Sequence, residues 1–307
     1  MSDVSELESS IRDIFNIPRR HKKSRADKAA FNQAISALDT IGDTQLAFSD
    51  YKELVSSFSV GITYILAYGL LQAVFLQQDA IKHLALSLGM QFQLPKELSI
   101  LRNLRNDAIG HPTQRNIDKK IKSFHQISRP TLSIHGFQLF STYSNKDEYE
   151  IRDINLHHVI EIQHKFAKEL LMNILNQMKE QENFHREKYM NVKLSNIFHP
   201  SLSYLFQKVR EGIRADIHRK FAELTFESII GMFKEFEEKL LQRDEDESIE
   251  HIKQELDYPI EKVKAYLTFS EDIDRRAAEI FAWYIQGKFE ELKKIAAEID
   301  EEYENRV

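Results

Sequence analysis

The run VGITYILAYGLLQAVFL, from Val60 to Leu76, constrains the fold of this chain more than any other stretch. Gln72 is its one amide, and Gln77, Gln78 and Asp79 close it. Crossing a bilayer takes about 20 predominantly apolar residues, and this run falls short of that. It reads instead as a buried core helix over about 58–89, with Gly89 as its stop and no membrane among the expected partners.

Composition supplies what such a helix packs against. Among 307 residues only 9 are Gly and 6 Pro, while 42% are hydrophobic. That balance favours long helices over a turn-rich sandwich and can fill one large domain or two ordinary ones, so the expected fold class is mainly α. The absence of Cys excludes disulfides, thiolate nucleophiles and Cys-based zinc or iron–sulfur sites. The opening MSDVSELESSIRD is acidic and has no apolar h-region, which makes a cytoplasmic protein the expectation.

The net charge of −6 argues against general coating of DNA, but it hides a local patch. In RRHKKSRADK, Arg19, Arg20, Lys22, Lys23, Arg25 and Lys28 face only Asp27. The patch is either a solvated linker between helices or a guide for nucleic acid. With a short helix over about 4–15 it makes an N-terminal segment, 1–25. A helical domain is expected over 26–190, with helices at about 26–42, 45–57, 58–89, 95–109 and 155–188. Inside it, alternation at Leu132, Ile134, Phe137 and Leu139, with a turn at Ser144 to Asp147, predicts a small antiparallel hairpin insert of two or three strands at about 122–154. Residues 191–307 form a further helical region, with helices at about 201–243, 247–268 and 271–303 and Ser270 as a candidate cap.

The chemistry concentrates in LRNLRNDAIGHPTQR, residues 101–115. At about 100° per residue, Leu98, Leu101, Leu104, Ala108 and Ile109 share one arc of a helix, and Arg105 falls inside it. Asn103 and Asp107 point to the opposite, solvated side; Arg102 and Asn106 sit on the margins. An always-charged guanidinium among leucines needs a partner or a wet cleft. Gly110 can end the helix in the left-handed conformation, and Pro112 discourages a helical His111, so the chain can turn the imidazole back towards Arg105. Such a pair suits phosphodiester cleavage: His moves a proton near neutral pH, Arg holds the phosphate, and Asn106 orients either one. The plainer alternative is an Arg105 that reaches a carboxylate and a His111 that merely follows a helix end.

RNDAIGH resembles the Arg, polar residue, spacer, His motif of HEPN domains (higher eukaryotes and prokaryotes nucleotide-binding), and YGLLQAVFLQQDAIKHL resembles the long helix that precedes it in their up-and-down bundles. The resemblance covers about 25–185 and implies a metal-independent endoribonuclease of the kind found in toxin–antitoxin and antiviral defence systems. It also implies a homodimer whose two motif helices face each other across one cleft, cutting RNA to leave a cyclic phosphate. Carried onto this chain, Arg105 binds phosphate, His111 does acid/base work and Asn106 supports them. Arg102, Arg19, Arg20, Lys22 and Lys23 are candidates for holding the RNA, and Gln78 or Asp79 for pairing with Arg105. An antitoxin or regulatory protein is a further expected partner. The alternatives are a non-catalytic helical scaffold and a nucleotide-binding HEPN partner of another enzyme.

Elsewhere the signals are structural. His157 and Glu161 could share a metal at helical spacing, but nothing in the neighbouring sequence completes the set, and no metal or cofactor is expected. No Gly-rich phosphate loop is present. Phe281, Trp283 and Tyr284 read as packing residues.

Overall fold

The computed structural model describes residues 3–55, 58–117 and 120–304, and it is mainly helical with one small sheet. Its contacts divide the chain into two compact units: residues 1–17 with 24–179, and 18–23 with 180–307. The division falls inside a helix and not at 190. The short segment 18–23 belongs with the C-terminal unit.

In the first unit, α1 (Val4–Phe15) opens on a reciprocal cap between Asp3 and Glu6. α3 (Lys28–Lys52) is continuous where two helices were expected, because Gly42 interrupts nothing that packs. α4 (Val60–Ser87) ends at Gly89, whose φ of 73° is the left-handed stop foreseen from the sequence. α5 (Lys96–Arg105), a sheet and α6 (Leu156–Tyr189) follow. The sheet has four antiparallel strands in sequence order, not a lone hairpin: β1 (Arg115–Asn116), β2 (Lys122–Ile127), β3 (Gly136–Tyr143) and β4 (Glu150–Asn155).

α4 joins the two cores of this unit. Its C-terminal half meets α1, α3 and α6 through Ile81 and Leu84. Its N-terminal half meets α5, the sheet and the start of α6 through Leu70, Leu71 and Val74. Yet α4 is not buried all round, as a pure core helix would be. Ile62, Ile65 and Leu76 form an exposed apolar stripe, with Ile65 at 69% exposure. By length and composition alone α4 is also apolar enough to cross a membrane.

The basic stretch is a helix, α2 (Pro18–Ala26), where a linker was expected, and its residues 18–23 belong to the second unit. The helix expected over 201–243 is two, α7 (Leu202–Arg214) and α8 (Arg219–Gln242). They form a hairpin in which Gly212 makes room for the Ala222 methyl. α9 (Glu250–Thr268) and α10 (Arg275–Glu304) complete it around a core rich in Phe206, Phe226, Phe236 and Phe289. Asp274, not Ser270, caps α10 by accepting from the Arg276 and Ala277 amides. Trp283 is half exposed under the Arg210 guanidinium, 3.7 Å from the ring centre, so it is a surface residue and not core.

Candidate phosphate site at the end of α5

α5 does not stop where its hydrogen-bond ladder changes. Asn106–Gly110 continue it as one wide π turn, in which the His111 amide donates to the Asn106 carbonyl at 2.7 Å. Such turns insert a residue into a helix and are frequent at functional sites. Leu98, Leu101, Leu104 and Ala108 are buried as the 100° spacing requires.

Arg105 and Arg102 both lie over Phe75 of α4, with guanidinium carbons 4.7 and 4.4 Å from the ring centre. Their partners differ. Arg102 donates to Gln78 Oε1 at 2.9 Å and forms an ion pair with Asp79. Arg105 donates from Nε and Nη2 to Gln72 Oε1, at 3.1 and 2.7 Å, and from Nη1 to Asn106 Oδ1 at 3.1 Å. Among the described residues no carboxylate pairs with Arg105. Two neutral amides therefore hold a half-buried cation in a fixed pose with its charge uncompensated, which is the electrostatic requirement of an anion site. The pairing of Gln78 and Asp79 with Arg105 is corrected: they serve Arg102, and Gln72 serves Arg105. Antiparallel packing explains it, since Arg102 lies one turn earlier on α5 and so meets α4 further along.

Gly110 acts sterically. Its φ is not left-handed, against the expectation, but a Cβ there would stand 2.6 Å from Arg105 Nη1 and 3.3 Å from Asn106 Oδ1. The guanidinium rests against the Gly110 backbone. His111 comes next, with φ −138° and ψ 49°, and its exposed imidazole has no hydrogen bond among the described residues. The chain thus sets Arg105, Asn106, Gly110 and His111 at one end of α5, with the imidazole free to meet a ligand.

Asp107 departs from the sequence reading. It is buried and not solvated, because the side of α5 away from α4 is covered by the sheet. Arg115 of β1 reaches Asp107 Oδ1 at 2.5 Å, Arg152 of β4 reaches Oδ2 at 2.6 Å, and His125 Nε2 of β2 lies 3.3 Å from Oδ1. Asn103 shares Arg115, accepting from Nη2 at 2.7 Å. The His125 imidazole is held below its ordinary range by burial, reinforced by Arg152 and Arg115 and opposed by Asp107. His125 also bonds Ser123 and Ser141, 2.9 Å each, and both serines are fully buried. Asp, His and Ser in this order are closed to solvent and lock the sheet onto the motif turn.

The basic stretch finds carboxylate partners within its own unit. In the C-terminal unit Arg19 and Arg20 both pair with Glu182, and Lys22 pairs with Asp246. Three of its cations thus meet two carboxylates, so part of their charge is taken up in ion pairs. The Lys23 side chain lies outside the described residues. Behind Arg102 runs a buried amide chain: Gln78 donates to Gln163 at 2.9 Å, and Gln163 donates to Gln77 at 2.8 Å. Gln72 and the closing glutamines were visible in the sequence as polar groups needing partners; the Asp107 cluster had no such signal. Comparison with protein-family models, with characterised proteins and with solved structures gives no match.

Proposed function

We propose that this chain is an HEPN-type, metal-independent endoribonuclease whose phosphate-binding residue is Arg105. The observation that carries the proposal is the uncompensated guanidinium, fixed by Gln72 and Asn106, with an exposed His111 following Gly110 in the chain. In this reading Arg105 holds the scissile phosphate and takes up the charge that grows as the ribose 2′-oxygen attacks. His111 takes the proton from that hydroxyl as the 2′-oxygen bonds to phosphorus and passes it to the 5′-oxygen as the P–O5′ bond breaks, and the products are a 2′,3′-cyclic phosphate and a 5′-hydroxyl. Asn106 keeps the guanidinium aimed. The exposed Ile65 and Leu76 stripe beside Gln72 supports a homodimer that brings two motif ends together. A toxin or antiviral role, with an antitoxin or regulator as partner, is the setting this chemistry would serve.

Cleavage of RNA by the purified chain in EDTA tests it. Arg105→Ala and His111→Ala should abolish cleavage while the oligomeric state persists. Undiminished cleavage by a clean His111→Ala preparation refutes the proposal. The second reading, a non-catalytic helical scaffold, is favoured by the Asp107 cluster, which gives this polar turn a structural purpose. It requires that no preparation cuts RNA and that Arg105→Ala destabilises the fold.

A further inference from the structure

We propose that the hollow between Tyr64 of α4 and Phe140 of β3 binds an unpaired nucleobase of single-stranded RNA, with Gln126 reading the base edge and Arg129 holding a neighbouring phosphate. The hollow has a volume of about 440 Å³ and lies wholly within the first unit. Its walls are Tyr64, Phe140, Gln126, Ile127 and the turn Ser128-Arg129-Pro130. Gln126 and Phe140 are paired across β2 and β3, so the amide and the ring sit side by side on one face of the sheet.

The residue chemistry selects the occupant. Two aromatic rings offer stacking to any base, and an amide can both donate to and accept from a base edge. Arg129 is exposed, and neither it nor the Gln126 amide has a side-chain partner among the described residues. Arg115 and Arg152, in contrast, are committed to Asp107. A base can enter such a hollow only when it is unstacked, which points to a single strand and not a duplex.

Position links the hollow to Arg105. Tyr64, Tyr68 and Gln72 recur at every fourth residue along one edge of α4, and Tyr64 and Tyr68 meet edge to face at 5.7 Å. From Tyr64 to Gln72 the helix rises about 12 Å, at about 1.5 Å per residue. A strand with a base in the hollow would therefore pass Tyr68 and bring a backbone phosphate to the guanidinium that Gln72 holds. This last step rests on the ribonuclease reading; base binding in the hollow does not.

The test is binding of a short labelled single-stranded RNA by fluorescence anisotropy, on the full chain carrying His111→Ala to prevent turnover, over a range of salt. Phe140→Ala should weaken binding about 5- to 150-fold, the loss expected for one base–aromatic stack. Arg129→Ala should flatten the slope of log affinity against log salt by about 0.7, one single-strand phosphate contact. Both side chains are partly or fully exposed, and circular dichroism with an unchanged melting point shows that each variant is folded. Unchanged affinity in Phe140→Ala with an unchanged salt slope in Arg129→Ala overturns the proposal. So does a lack of RNA binding by every preparation. The two readings separate cleanly. If RNA is cut in a His111-dependent way but Phe140→Ala cuts with wild-type KM, the hollow fails and the nuclease stands. If nothing cuts RNA yet binding depends on Phe140, the hollow stands and the nuclease fails.

Discussion

Replacing Gly110 by Ala isolates the placement of Arg105 from the stability of the fold. The new Cβ would lie 2.6 Å from Nη1 and 3.5 Å from Cζ of Arg105. Carbon contacts settle at about 3.5–4.0 Å, so the guanidinium must retreat by about 1 Å. That retreat breaks the 3.1 Å bond to Asn106 and bends the pair of bonds to Gln72, a loss of about 1–2 kcal/mol at about 1 kcal/mol for each bond. Against it stands the helix preference of Ala over Gly, about 1 kcal/mol, which applies because Gly110 does not use a left-handed φ. Net stability should stay within about 1 kcal/mol of wild type. Function should not, since a displacement of about 1 Å in a catalytic group costs on the order of 100-fold in rate. The assay is kcat/KM for RNA cleavage beside urea unfolding of the same preparations. Wild-type cleavage by a folded Gly110→Ala protein refutes the claim that the glycine seats the guanidinium.

Two further substitutions probe the cluster beneath the site. Asp107→Asn keeps the shape but removes the negative charge and one of the two acceptor oxygens, so that one arginine faces an amide donor; with Arg115 and Arg152 still partly hydrated, the cost should be about 1–2 kcal/mol, a fall of about 3–6 °C in melting temperature. An unchanged melting point would show that the sheet does not depend on Asp107. His125 gives a pH signature. Its folded-state value is lowered from 6.5, so below 6.5 the unfolded chain binds more protons than the folded one, and stability is lost as pH falls through 6.5 towards the folded value. His164 and His185 are lowered by burial as well and act in the same direction. The urea midpoint should therefore drop on acidification through that window, with His125→Gln reducing the slope; an equal slope in that variant would remove His125 from the account.

Much of the first unit was legible because its signals are local. The bounds of α1, α4 and α6 follow from apolar spacing, and Gly89 marks a real left-handed stop. The site was legible as a set of residues but not as a network. A helical wheel knows one buried face, so it sent Asp107 to water; the strands that supply Arg115, His125 and Arg152 cover the other face. Gly110 was singled out for a left-handed φ that it does not adopt; the need for a glycine comes instead from Arg105, which a Cβ would strike. The partners of the basic stretch were not legible, because the sequence does not show that Glu182, far along the chain, meets Arg19 and Arg20.

That distance gives the Arg19–Glu182 pair a consequence in time. The two residues are 163 positions apart, and the chain between them makes most of the other unit. At about 5–20 residues per second on the ribosome, Glu182 is made about 8–33 seconds after Arg19. Throughout that interval the first unit can begin to form around α3 and α4 while the segment 18–23 has no Glu182 or Asp246 to join. The ordering of this one short helix should thus be a late event in biosynthesis, although it is among the first parts of the chain to be made.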